Sequence, residues 1–243
     1  MTSIIKFFSN RSWLTPNSMS KPEPIIKTIP EWYRKSDKFA VDPVTNEVWV
    51  GPDGGKMPTW KACPAVFDVM GAGYALMTPC DLEFYLDQEG VIQVRIENPA
   101  YKDFCTKRPP MPQFKNPDGY HPHHFAWYPD WGIGVPEGYS VLYTQPLNRF
   151  ELPFLTTSGV VDNDVINQPG MMPFFLSRSF LGILPAGTVY AQMLPFKRDN
   201  WESETVIRSQ EEIVEKYKES AETYRIPNGG VYKDKVWTKR SYK

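Results

Sequence analysis

The chain has 243 residues, of which 24 are Pro and 16 are Gly, so Pro is about twice as frequent as in average proteins. Because Pro fixes φ and removes a backbone donor, this composition excludes long helical bundles and coiled coils, while 41% hydrophobic residues exclude disorder throughout. The net charge of −1 is too small to capture nucleic acid or an anionic membrane by charge alone.

The cysteines and the N-terminal residues bear on cellular location. Cys63, Cys80 and Cys105 form no CxxC pair, which favours buried thiols in a reducing compartment. Residues 4–8 are interrupted by Lys and lack the features of a signal peptide, and no apolar run reaches the ~20 residues of a membrane helix. We therefore predict a cytoplasmic protein without membrane contact, with residues 4–8 as a first strand or an arm.

Residues 1–36 are predicted to form an extended N-terminal arm. The prolines between residues 9 and 36 are spaced so that neither a helix nor a long strand can persist. At the end of the arm, Trp32 and Tyr33 follow closely after a Pro and are suited to anchor the arm on a surface.

A β-rich domain is predicted for residues 37–200. Turn signals on both sides of residues 47–50 indicate a small hairpin, and residues 63–71 indicate one or two helical turns with Pro near the start and Gly at the end. Residues 74–96 are typical of a three-stranded meander. The many prolines of residues 98–124 predict a long surface loop.

From residue 139 onward, short apolar segments recur at roughly 8–12-residue spacing with turn residues between them. The predicted strands are residues 139–145, 150–156, 159–161, 172–177, 180–184 and 188–196. The alternating part of the last strand contains Gln192 as its one polar residue, so both faces should be covered. The pattern predicts a mainly β fold, either a distorted barrel or a jelly-roll-like sandwich.

Residues 201–243 are predicted to contain one helix and a basic, aromatic tail. Apolar residues recur at helical spacing, Ser209 and Glu212 match a capping box, and residues 226–230 end the helix. The helix should cover the sheet or a second subunit, so a homo-oligomer is one expectation. The tail suits an acidic protein partner better than nucleic acid.

All the histidines lie together, at His121, His123 and His124. Imidazole binds Zn²⁺, Fe or Cu, and His121 and His123 would face the same way on an extended chain, which suggests a metal site. Three neighbouring residues rarely surround one ion, however. The alternative is a polar loop in which one histidine hydrogen-bonds to the backbone.

Asp162 and Asp164 are separated by Asn163. On a strand their carboxylates would share a face about 7 Å apart, which suits a cation or a substrate hydroxyl. In a turn, the same residues would hydrogen-bond to their own backbone. Both interpretations stand at this point.

Trp127, Tyr128 and Trp131 concentrate aromatic rings beside Pro129, just after the predicted loop. Stiff rings recur in recognition surfaces because they give contact area at low entropic cost. The alternative is that these rings seal the end of the β-structure. No GxSxG, HExxH, GxGxxG or EF-hand motif is present in the sequence, so no reaction class is indicated.

Several segments together resemble one protein family. They include the sequences IPEWY at 29–33, VPEGYS at 135–140 and GVVDND at 159–164, with further matches at 185–198 and at 236–242. In these segments the chain resembles a family without an assigned activity, whose members occur in T4-like marine phages, including cyanophages, and in some bacteria. The resemblance implies a phage protein of the host cytoplasm or of the virion.

Two of these segments are also similar to motifs of the β-clip nucleotide enzymes, the dUTPases and dCTP deaminases. Residues 159–164 resemble their G-[VI]-[VI]-D-x-D-Y motif, and residues 185–192 resemble their P-x-G-x-x-x-A-Q motif. The resemblance implies a β-clip-like arrangement of strands and a nucleotide pocket that contains Asp162. Val165 stands where the first motif has Tyr.

We therefore expect a binding or assembly module without catalysis, which contacts a partner protein or a small ligand through the aromatic loop and the arm. The predicted ligand-binding residues are Asp162, Asp164, Gln192, Trp127, Tyr128 and Trp131. The alternative is an enzyme, either metal-dependent through the three histidines or nucleotide-directed through Asp162. No cofactor is specified by either interpretation.

Overall fold

The computed structural model of the protein describes residues 3–52, 54–113, 115–168, 170–224, 236–239 and 241–243. Within these residues the strands are β1 (Lys6–Ser9), β2 (Glu23–Pro24), β3 (Tyr74–Met77), β4 (Leu82–Leu86), β5 (Ile92–Arg95), β6 (Cys105–Lys107), β7 (Tyr120–Trp127), β8 (Trp131–Gly134), β9 (Tyr139–Thr144), β10 (Phe154–Thr156), β11 (Gly159–Val161), β12 (Met172–Ser177), β13 (Gly182–Leu184) and β14 (Val189–Lys197). The α-helices are α1 (Glu31–Lys35), α2 (Pro64–Gly71) and α3 (Gln210–Tyr224).

The chain divides into two compact units. The first contains the residues up to Thr28, Ala72–Arg198 and Tyr242–Lys243, and the strands named above lie in it. The second contains Ile29–Gly71 with the described residues of 199–241, and the α-helices lie in it.

The first unit is built from antiparallel sheets. The largest has the strand order β11-β9-β14-β3-β2, a second has the order β10-β12-β7-β6, a third has the order β13-β4-β5, and β1 pairs with β8. None of these sheets closes into a barrel within the described residues. The predicted mainly β fold class is confirmed, as a distorted sandwich of antiparallel sheets.

Strand β14 illustrates how a nearly continuous apolar sequence indicates a strand that is buried on both faces. It lies between β9 and β3, and its residues from Val189 to Met193 are buried. Side chains of a strand alternate between the two faces of the sheet, so five consecutive buried residues mean that both faces are covered. The prediction made from its nearly continuous apolar sequence is confirmed.

The core of the first unit is dominated by aromatic rings. Trp127 of β7 and Phe174 of β12 stack with their ring centroids 3.7 Å apart and their planes at 6°. Phe84 of β4 packs edge-on against Phe174 at 6.4 Å, and Tyr190 of β14 lies 5.1 Å from Trp127. Rings from three sheets therefore meet at the Trp127–Phe174 pair.

The indole N–H of Trp127 is also satisfied. It donates to Thr156 Oγ1 at 3.1 Å, and the Thr156 hydroxyl donates to the carbonyl of Tyr190 at 2.7 Å. These two hydrogen bonds join β7, β10 and β14. They remove the cost of burying the polar edge of the indole.

The helix predicted within residues 63–71 and the predicted capping box are both found. Helix α2 begins at Pro64 and ends at Gly71. At the start of α3 the Ser209 backbone N–H donates to Glu212 Oε2 at 2.7 Å, and the Glu212 N–H donates to Ser209 Oγ at 3.3 Å, which is the predicted capping box. On α3, Val214 and Tyr217 are exposed rather than covered.

Two predictions from local sequence are wrong. Residues 98–124 are not one long loop, since they contain β6 and the first five residues of the eight-residue strand β7. Strand β3 does not form a meander with β4 and β5, because it pairs with β14 and β2 in a different sheet. The β4–β5 hairpin itself is present.

The residues predicted as an arm and a tail contain short elements and side-chain contacts. Residues 1–36 contain β1, β2, a 3-10 turn (Ile25–Thr28) and α1, so the arm is more structured than its prolines predict. In the tail, residues 225–235 and 240 lie outside the described residues. Trp237 donates its indole N–H to Asp68 Oδ2 at 2.7 Å and packs edge-on against Phe67. No helix of the described residues is long and apolar enough to cross a membrane.

Substitution of Trp127 by Ala should destabilise the protein by about 3–5 kcal/mol, because it removes a fully buried ring and leaves a cavity. The measurement is the free energy of unfolding from urea denaturation, with Trp127→Phe as a milder second variant. Trp201, which is 89% exposed, gives the control, and Trp201→Ala should change stability by less than about 0.5 kcal/mol. Equal stability losses in the two alanine variants would contradict the assignment of Trp127 to the core.

Candidate functional site

Helix α1 is held in place by a lysine from a distant part of the second unit. A five-residue helix is not stable in isolation. Lys61 Nζ donates to the carbonyls of Tyr33 at 2.8 Å and of Arg34 at 3.0 Å, which would otherwise lack partners at the end of the helix. The same amine lies 4.8 Å from the centre of the Tyr33 ring. Lys61 thus fixes both the helix end and the ring.

Tyr33 anchors α1 through its buried side chain. Its side chain is buried with Ile29 and Met70 in a small apolar cluster of the second unit. Burial raises the pKa of Tyr33, so the phenol stays protonated at neutral pH. Tyr33 therefore anchors α1 on this cluster of the second unit.

A short antiparallel ribbon continues from α1. Single β-bridges join Phe39 to Pro58, Val41 to Val48 and Val50 to Lys56. The Asp42 carboxylate accepts the N–H groups of Val44 and Thr45, which forms the tight turn that begins the returning segment. The small hairpin predicted around residues 47–50 is present in this irregular form.

The helix and the ribbon line an open, shallow cavity of about 500 Å³. Aromatic and apolar side chains form most of its lining, which includes Trp32, Tyr33, Phe39, Met57, Pro58 and Trp60. We call this cavity the aromatic groove. Trp32 is 38% exposed and Trp60 is 55% exposed, so two large rings face solvent at its sides.

Hydrogen bonds hold the polar rim of the aromatic groove. The Thr59 hydroxyl donates to the carbonyl of Asp37, and the Thr59 N–H donates to the carbonyl of Lys38 at 2.9 Å. The Ser36 hydroxyl donates to the carbonyl of Trp32 at 2.5 Å. These bonds use backbone carbonyls. The charged residues of the lining are Asp37, which is exposed, and Lys61, whose amine is bonded to the carbonyls at the end of α1.

Sequence reasoning did not predict the aromatic groove. Trp32 and Tyr33 were expected to anchor an arm, and Trp60 and Met57 carried no motif. The signal in the sequence was weak, because residues 42–60 contain only two aromatic residues, Trp49 and Trp60, and only Trp60 lines the groove. The bridges of the ribbon and the hydrogen bonds of Lys61 bring the lining residues together.

The aromatic loop predicted for recognition lies instead in the interior of the first unit. Trp127 is fully buried, and Trp131 is buried with its indole N–H donating to Ser20 Oγ at 3.2 Å. Tyr128 is half-buried and its hydroxyl lies 3.6 Å from Met171 Sδ. Of the two interpretations, the rings of Trp127 and Trp131 fit the sealing role.

Asp162 and Asp164 lie in a turn rather than on a strand. The Asp162 carbonyl accepts the N–H groups of Val165 and Ile166. The Asp164 carboxylate accepts the Gly138 N–H at 2.9 Å and two hydrogen bonds from the Arg198 guanidinium. Hydrogen bonds from Arg198 lower the pKa of Asp164 to about 2, so this carboxylate stays charged.

The same arginine reaches Asp162. Arg198 Nη1 lies 3.2 Å from Asp162 Oδ1, which also accepts the Ser140 hydroxyl at 2.6 Å. Asn163 between the two is fully buried, and its side-chain oxygen accepts the Tyr143 hydroxyl at 2.7 Å. The three side chains of this turn are thus used to fix it against the sheet.

Gln192 does not take part in this turn, and its side-chain amide bonds to other segments of the first unit. It is fully buried on β14, its Oε1 accepts the Leu147 N–H at 2.9 Å, and its Nε2 donates to the carbonyl of Ala72 at 2.7 Å. Both bonds hold loops of the first unit in place. The amide is therefore committed to the scaffold.

The three histidines lie on β7, but they do not form a metal centre. His124 is buried beside Phe175, with ring centroids 6.2 Å apart, while His123 Nδ1 lies 3.4 Å from the carbonyl of Arg108. His121 Nε2 is buried without a hydrogen-bond partner. Within the described residues no group of three or more His, Cys, Asp or Glu side chains could hold a metal ion. The predicted metal site is not supported.

The cysteines form no disulfide, and Cys80 and Cys105 have the character of inert thiols. Cys105 is buried, and Cys63 and Cys80 are half-buried. Burial raises the pKa of the Cys80 thiol to about 11, and it also raises the pKa of Cys105. A thiol with a raised pKa is a poor nucleophile at neutral pH.

No protein-family model matches the chain, and no curated protein matches its sequence.

We predict a pH dependence of stability from buried His124 and half-buried His121. Burial, with the nearby positive charges of Arg178 and Arg108, lowers the pKa of His121 and His124 below the usual 6.5. The unfolded chain then binds protons that the folded chain does not, so stability is fully present above about pH 6.5 and is lost as the pH falls. Each histidine can contribute a slope of at most about 1.4 kcal/mol per pH unit.

The measurement is the free energy of unfolding between pH 7.5 and about pH 5 in the protein and in a His121→Gln, His124→Gln double variant. The variant should lose less stability over this range. Parallel curves for the two proteins would show that these imidazoles do not titrate differently in the folded and unfolded states.

Proposed function

We propose that this protein is a binding or assembly module of phage type, without catalysis, whose aromatic groove receives an extended, proline-containing segment of a partner protein. The observation that carries the proposal is the cavity of about 500 Å³ with two solvent-exposed tryptophan side chains. The resemblance of several segments to a phage family supports a role in the host cytoplasm or in the virion.

The chemistry of the aromatic groove favours a proline-rich ligand. Proline-containing segments form a stiff, extended helix without internal hydrogen bonds, and they dock on grooves lined by aromatic rings. Trp32, Phe39 and Trp60 supply such rings from α1, the ribbon and the turn after it. The Asp37 carboxylate at the rim favours a basic residue next to the prolines.

The groove is also held in shape before a ligand arrives. Lys61 fixes the end of α1, and the bonds of Thr59 tie the ribbon to residues 37 and 38. A preorganised surface loses less conformational entropy on binding. This supports recognition of short peptides, whose own contact area is small.

The alternative of an enzyme has less support. A nucleotide-directed reaction through Asp162 needs a carboxylate that faces a ligand, whereas Asp162 is bonded to Ser140 and lies 3.2 Å from Arg198. A metal-dependent reaction through the histidines needs imidazoles that converge on one point. His124 instead packs against Phe175.

A peptide of one arginine followed by nine prolines tests the proposal. Titration of the full chain with this peptide should give a saturable change in tryptophan fluorescence, since the peptide contains no tryptophan. Trp60→Ala should weaken binding at least about tenfold, because aromatic side chains carry much of the energy of such contacts.

Trp13 provides a matched control. It is 48% exposed and lies in the first unit, outside the aromatic groove. Trp13→Ala should leave the affinity unchanged, and a glycine-serine peptide of equal length should not bind. Absence of saturable binding, or equal losses in the Trp13 and Trp60 variants, would refute the proposed function.

A further inference from the structure

The chain itself contains a segment of the kind that the aromatic groove suits. Residues 108–112 have the sequence Arg-Pro-Pro-Met-Pro and lie between β6 and β7 in the first unit. Pro109, Pro110 and Pro112 are exposed. The backbone forms a turn at residues 112 and 113. We call residues 108–112 the proline segment.

The conformation of the proline segment follows from its sequence. Each proline fixes its own φ near −65°. Arg108, Pro109 and Met111 each precede a proline, which disfavours the helical region for these residues and keeps the backbone extended. The start of the segment is fixed, because the Arg108 N–H donates to the carbonyl of His124 at 2.8 Å. Residues 108–111 therefore form an extended and partly exposed strip that follows β6, and a turn begins at Pro112.

We propose that the proline segment of one copy of this protein binds the aromatic groove of a second copy. This inference rests on the proposed function and names the partner. The proline rings would pack on Trp32 and Trp60, and the Arg108 guanidinium would pair with the Asp37 carboxylate. The three prolines of the segment and the two tryptophans of the groove are exposed in the same chain, so they are accessible to a second molecule.

The contact has a consequence for assembly. It joins two different surfaces, one from each unit, so a copy that has bound a neighbour through its groove still offers its proline segment to another. Such a contact can repeat from copy to copy. It is also small, so it should be weak and depend on protein concentration.

Analytical ultracentrifugation of the full chain tests this inference. The weight-average molar mass of the protein should rise with protein concentration in a series up to about 1 mM. It should fall again when the arginine-nonaproline peptide is added. Two variants should each remain monomeric. The first is Trp60→Ala, which lacks a groove ring, and the second is Pro109→Ser, Pro110→Ser, Pro112→Ser, which alters the exposed segment.

Mixing the two variants provides the sharpest readout. Trp60→Ala retains an intact proline segment, and the triple proline variant retains an intact aromatic groove. The mixture should form dimers and nothing larger, since only one productive contact exists between the two. Circular dichroism checks that both variants are folded, and Trp13→Ala should assemble as the unchanged protein does.

The outcomes separate this inference from the proposed function. If the unchanged chain stays monomeric throughout the series while the peptide still binds the groove, self-association is refuted and the proposed function stands. If the variants assemble as well as the unchanged chain, a different surface joins the copies and the inference is refuted. If the peptide also fails to bind, both proposals fall.

Discussion

The stack of Trp127 on Phe174 is the contact on which the first unit depends. It joins the strands β7 and β12, and rings from β4 and β14 pack around it. Burying so many large rings compensates for a sequence in which frequent prolines keep strands short. Because these rings are used for stability, the recognition that we propose uses other aromatic residues. The exposed tryptophans of the second unit are available for that role.

The sequence predicted elements whose signals are local. The capping box at Ser209, the Pro64 and Gly71 boundaries of α2 and the apolar run of β14 all depend on neighbouring residues, and all are found. The pairing of strands that are distant along the chain was harder to predict from the sequence. Strand β3 pairs with β14, which lies more than one hundred residues away along the chain. The sequence of neither strand indicates its pairing partner. Strand β7 was hidden because Pro122 lies within it.

The candidate site was predicted less well than the fold, for a physical reason. A cluster of chemically suggestive side chains in sequence says nothing of which way they face. Trp127 and His124 proved to be core residues, and the carboxylate of Asp164 is held by Arg198. The aromatic groove combines residues spread from Trp32 to Lys61, which only the ribbon and the hydrogen bonds of Lys61 bring together. Trp32 was noticed, but as an anchor.

The central claim is that the aromatic residues are divided between a buried core and an exposed recognition groove. Hydroxyl-radical footprinting of the tryptophans, read by mass spectrometry, tests this division most directly. We predict rapid oxidation of Trp60 and Trp32, protection of both by the arginine-nonaproline peptide, and slow oxidation of Trp127 and Trp131 with or without it. Oxidation of Trp127 as fast as that of Trp60, or no protection of Trp60 by the peptide, would contradict the account.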